Sequence, residues 1–62
     1  MSLEENENAK IGSWPIYIFI RKDMFYQIHL RDDADAIANA EINPGTLRVE
    51  DIDGRVVWRS DH

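Results

Sequence analysis

Between Trp14 and Arg59 the chain carries four short runs with the two-residue period of a β-strand, two on either side of an alanine-rich segment. The first run, Trp14 to Ile20, is apolar on both faces: Ile16, Ile18 and Ile20 point one way, Tyr17 and Phe19 the other. A strand of that kind needs cover on both sides, so it belongs in the middle of a sheet. Pro15 has no backbone donor and suits the strand's start. Arg21, Lys22 and Asp23 flank the run as charged gatekeepers and form the turn. The second run, Met24 to Arg31, alternates more cleanly, with Tyr26, Ile28 and Leu30 against Phe25, Gln27, His29 and Arg31. Two registers fit this hairpin. A loop of odd length sets the three isoleucines beside Leu30, Ile28 and Tyr26. A two-residue loop at Lys22-Asp23 instead places Tyr17 and Phe19 beside Ile28 and Tyr26. The odd loop segregates apolar from polar faces better and is the expectation.

A short helix follows. Asp32 or Asp33 can cap its free amides, and Asp35 adds negative charge near the positive end of the dipole. Alanines at 34, 36, 38 and 40 favour the helix and keep it thin. Ile37, with Ala34, Ala38 and Glu41 at helical spacing, is its large apolar residue, and Ile42 closes the segment. Pro44 ends the helix near Ile42, and Pro44-Gly45 suits the centre of a type II turn. A helix of about ten residues is not stable alone in water, so packing on a sheet must hold it.

Leu47 to Asp51 and Arg55 to Arg59 form a second hairpin. A three-residue loop with Gly54 left-handed pairs Asp51 with Arg55 and Val49 with Val57. A two-residue Asp53-Gly54 loop is the alternative and pairs Val49 with Trp58. The fold class is therefore α+β, in the order β-β-α-β-β. A right-handed crossover through the helix gives a four-stranded antiparallel sheet of order 2-1-3-4 with one short helix on one face. Residues 1–13 are expected to be an acidic disordered tail, 14–59 the single domain, and 60–62 a frayed end.

One helix cannot cover two sheet faces. With the helix over Ile16, Ile18, Ile20, Ile28, Leu30, Leu47, Val49 and Val57, the uncovered face carries Tyr17, Phe19, Phe25, Val56 and Trp58. An apolar patch of several hundred Å² usually marks a contact surface. These five residues are the expected interaction surface, and the expected partners are a second copy in a homodimer and a further protein.

Composition strengthens the case for association. Domains of this length bury about 60% of the surface their unfolded chains expose and are marginal without support. With no cysteine in 62 residues, disulfides and thiolate metal sites are excluded. The expected compartment is the cytoplasm, where proteins rarely carry disulfides. The style is that of a small bacterial protein, an impression no motif carries. No run approaches a membrane span, and the opening residues lack the pattern of a signal peptide. A net charge of −5 argues against nucleic acid. The charge is unevenly spread. Residues 14–59 hold eight acids and six bases, so the folded part is nearly neutral.

The usual chemistry is missing. His29 and His62 have no metal-ligand spacing, and nothing fixes a triad around them. Asp51-Ile52-Asp53-Gly54 resembles part of a calcium loop, but Val49 and Ser60 fall where ligands are needed, leaving a turn. The Asp32, Asp33, Asp35 cluster is explained by capping. No glycine-rich phosphate loop exists, so no cofactor is implied. A non-enzymatic protein-binding or adaptor module is the first reading. The alternatives are a single-stranded nucleic-acid binder using the aromatic face with Arg31, Arg48 and Arg59, and an enzyme with an inter-subunit site at His29.

Overall fold

The computed structural model describes residues 11–61. The elements follow the expected order: β1 (Ile16–Arg21), β2 (Phe25–His29), α1 (Asp33–Glu41), β3 (Thr46–Asp51) and β4 (Val56–Arg59). The sheet is antiparallel with order β2-β1-β3-β4. The doubly apolar β1 is central, with β2 and β4 at the edges. Of the expected 1–13 tail, residues 1–10 lie outside the described ones. Ile11 and Gly12 are helical, and the Trp14 amide donates to the Ile11 carbonyl at 3.0 Å.

Local chemistry ends each element where it does. The Asp32 carboxylate accepts from the Asp35 amide at 2.9 Å, and the Asp35 carboxylate accepts from the Arg31 amide at 3.2 Å. This reciprocal pair starts α1 as a capping box does. At the other end the Thr46 amide donates to the Asn43 carbonyl at 3.3 Å across Pro44-Gly45. Gly45 there has φ +96, the left-handed third position that a type II turn requires. Arg21 donates from Nη2 to the Pro44 carbonyl at 3.0 Å, tying this turn to the end of β1.

The face of β1 that meets the helix is the reverse of the expected one. Tyr17 (3% exposed) and Phe19 (1%) lie in the core with Leu30, Ala36, Ala40 and Val49, while Tyr26, Val57 and Trp58 pack against them. The register explains the inversion. The first hairpin uses the two-residue Lys22-Asp23 loop, so Tyr17 opposes Ile28, Phe19 opposes Tyr26 and Ile20 opposes Phe25. The Phe19 and Tyr26 rings stack at 5.4 Å between centroids. The helix supplies the physical reason. It turns Ala36 (0%) and Ala40 (2%) to the sheet with Ile37 half-buried near Trp58, while Ala34, Ala38 and Ile42 stay exposed. Two alanines leave a deep gap, which rings fill better than isoleucines do.

The second hairpin combines both candidate registers. Its loop is the three-residue one: the Gly54 amide donates to the Asp51 carbonyl at 3.0 Å, and the Asp51 amide to the Arg55 carbonyl at 2.9 Å. Gly54 has φ +88. Beyond the loop, Glu50 opposes Val56 but Val49 opposes Trp58, so Val57 is an extra residue on β4. This bulge carries Trp58 to the helix side. A second irregularity between β1 and β3 leaves Leu47 unpaired with β1 and exposed, not beneath the helix as expected.

Candidate functional site

Two places gather side chains with functional potential: the sheet face away from the helix, and the loops at the helix N-terminus.

On the open face, strand pairing lines up Ile16 with His29, Ile18 with Gln27 and Glu50, and Ile20 with Phe25 and Arg48. Val56 adds an apolar residue on β4 beyond Glu50. Phe25 is 67% exposed, and the isoleucines are shielded in part by their neighbours. Arg48 and Glu50 neutralise each other through Nε and Oε2 at 2.6 Å. The apolar area is thus concentrated on β1 and on the start of edge strand β2. Of the five surface residues expected from sequence, Phe25 and Val56 lie on this face. Tyr17, Phe19 and Trp58 do not, because the two-residue loop and the Val57 bulge turn them toward α1. Ile16, Ile18 and Ile20 take their place.

This correction also dismantles the aromatic platform proposed for stacking bases. Two of its rings are buried, Trp58 packs against the core, and Arg48 is ion-paired. Arg31 lies 5.3 Å from the centroid of the Trp14 ring, a cation–π contact at the end of β2.

The second place is a network. The Tyr17 hydroxyl donates to Asp33 Oδ1 at 2.7 Å, and Arg55 Nη2 donates to Asp33 Oδ2 at 2.9 Å. Arg55 Nε reaches Asp51 Oδ2 at 3.0 Å. Asp51 Oδ1 accepts from the amides of Asp53 and Arg55, both at 2.9 Å. Burial, followed by the facing Asp33 carboxylate, pushes the Tyr17 phenol up to about 12. The Asp33 carboxyl is held below its ordinary range by the Tyr17 and Arg55 hydrogen bonds. Asp51 is held low chiefly by the Arg55 amide. A phenol that stays protonated and carboxylates already occupied by protein donors make a clasp between β1, α1 and the β3–β4 loop. They do not make an acid–base pair poised near neutrality. Sequence reading missed this clasp, since its partners are 16 and 22 residues apart. The three aspartates of the helix start are each engaged: Asp32 and Asp35 in the cap, Asp33 in the clasp.

Among the described residues, no group of three or more histidine, cysteine, aspartate or glutamate side chains could hold a metal ion. No helix among them is long and apolar enough to cross a membrane. The surface depressions are shallow. One lined by Ile16, Gln27, Ile28 and His29 spans about 180 Å³. Another, lined by Leu47, Arg48, Val56, Arg59, Ser60 and Asp61, spans about 350 Å³ and is open to solvent, at the low end of the ~300–1,000 Å³ of ordinary ligand sites. Compared with known proteins, the chain matches no family model, no curated protein and no solved structure.

Proposed function

We propose that this chain is a small, non-enzymatic protein-binding module that works as a homodimer, with the open sheet face as its contact surface. One observation carries the reading. Ile16, Ile18, Ile20 and Phe25 form an apolar stripe on the side that α1 does not cover. The core supplies the motive. Its buried apolar side chains include two alanines and few large residues, so a domain of this size gains from further burial. The cytoplasm suits a cysteine-free chain of this kind.

Sedimentation equilibrium from low to high micromolar concentration tests the reading. The expected result is a species of twice the 7.2 kDa chain mass. Phe25→Glu, at an exposed position, should weaken it while leaving the circular dichroism of the fold in place. A chain that stays monomeric at high micromolar concentration would remove self-association from the proposal.

A further inference from the structure

We infer that the second copy docks along β2, by antiparallel pairing of the two β2 strands about a two-fold axis at Gln27. The inference rests on the proposed self-association but moves its contact from the open face to the adjoining β2 edge, leaving the joined isoleucine stripes for a further protein.

The two sheet edges are built differently. β4 has four residues, contains the Val57 bulge, follows Arg55 and ends in Arg59. Bulges and charges are the devices by which edge strands avoid pairing. β2 has neither a bulge nor a charge within it: Phe25, Tyr26, Gln27, Ile28 and His29 pair with β1 in unbroken register, without proline or a Lys, Arg, Asp or Glu side chain, and the charges of Asp23 and Arg31 lie outside the strand. Its outward bonding groups can be assigned. The Arg21 amide donates to the Met24 carbonyl at 2.8 Å, and the Leu30 amide to the Pro15 carbonyl at 3.0 Å. Antiparallel bonding alternates along a strand. Met24, Tyr26, Ile28 and Leu30 therefore turn their amides and carbonyls to β1, and Phe25, Gln27 and His29 turn theirs to the outer edge, which no other described strand occupies.

Centring on Gln27 sets Phe25 against His29 of the second copy and Gln27 against its counterpart, so every outward amide and carbonyl finds a partner. A slip of one residue either way leaves one outward residue per chain unmatched. Just past the paired residues the flanking charges are complementary, since the Asp23 end of one hairpin loop lies on the side of Arg31 of the second copy. Paired residues share a face, so the two isoleucine stripes join on one side of a continuous eight-stranded sheet. The edges then left are the bulged β4 strands, which stops assembly at two chains.

The test uses the full chain. Gln27→Pro removes an amide that makes no bond to β1. It should keep the far-ultraviolet circular dichroism and abolish the dimer in sedimentation. Where that variant loses the fold, Gln27→Lys, which puts like charges on the axis, should do the same to the dimer. Asp23→Lys should weaken association several-fold, and Asp23→Lys with Arg31→Asp should recover it. In this cysteine-free chain, Gln27→Cys should oxidise to a covalent dimer, since hydrogen-bonded antiparallel pairs lie ~5.5 Å apart at Cα, within disulfide reach. A dimer that survives Gln27→Pro, gives no Gln27→Cys cross-link and is lost on Ile18→Glu overturns the edge pairing. It leaves self-association standing, through the open face. A monomeric wild type overturns both. If its Gln27 amide is also protected from hydrogen exchange, the edge belongs to residues 1–10 of the same chain.

Discussion

Truncating neighbouring residues of β1 decides which face is the core. Phe19 is 1% exposed, stacked on Tyr26 and opposed by Val49. Phe19→Ala should cost about 3–5 kcal/mol, as ring removal from a closed core does. Ile18, next along the strand, faces away from the helix and is half-buried. Ile18→Ala leaves no enclosed cavity and forfeits part of a burial worth ~1.5–3 kcal/mol when complete, so about 1 kcal/mol is expected. At ~0.05–0.15 kcal/mol per residue, a chain of this length has roughly 3–9 kcal/mol in all. Phe19→Ala thus removes between a third and all of it. Urea unfolding followed by circular dichroism, with both variants at one protein concentration, reads the difference. With a slope of ~1 kcal/mol per molar for a small domain, Ile18→Ala should move the midpoint by roughly 1 M. Phe19→Ala should move it several-fold further or leave no folded baseline. Equal shifts, or a larger one for Ile18→Ala, would show that the isoleucines form the core and that the face assignment is wrong.

Three further outcomes follow from the clasp, the turns and the helix. Asp33 and Asp51 are depressed in the folded chain, so their stabilisation is present above the unfolded carboxylate pKa and is lost as pH falls through the lower folded values. The Tyr17 phenol is raised, so its contribution is intact below pH 10 and is lost as pH rises toward about 12; Tyr17→Phe should remove that alkaline loss in a pH titration of stability. Gly45→Ala should destabilise more than Gly54→Ala in thermal unfolding. Both have positive φ, but a Cβ at Gly45 would also meet Arg21 Nη2 at 2.6 Å and displace it from Pro44, whereas space at Gly54 is open. Ala36→Leu should cost at least ~1–3 kcal/mol, the usual penalty of overpacking, while the same change at exposed Ala38 should be near neutral by the same melting assay.

The element order, the sheet order, both glycine turns and the acidic helix start were readable from residue types, because proline, glycine and aspartate act locally. The face of β1 was not. Apolar residues occupy both of its sides, so periodicity is silent, and the choice passes to whether the loop at Lys22-Asp23 holds two residues or three. That one-residue question sent Tyr17 and Phe19 inward and Ile16, Ile18 and Ile20 outward. Val57 posed the same problem on β4, where the loop expectation held near Gly54 and the bulge replaced it further along. Phe25 and Val56 were correctly placed on the uncovered side. The Tyr17–Asp33–Arg55–Asp51 clasp depends on tertiary approach and leaves no periodic trace.

Strand order has a consequence for shortened chains. β1 takes its inner neighbour from residues 46–51, so a fragment ending at Glu41 would lack the strand that covers that flank. Such a fragment presents the backbone edge of an apolar strand and should aggregate rather than fold.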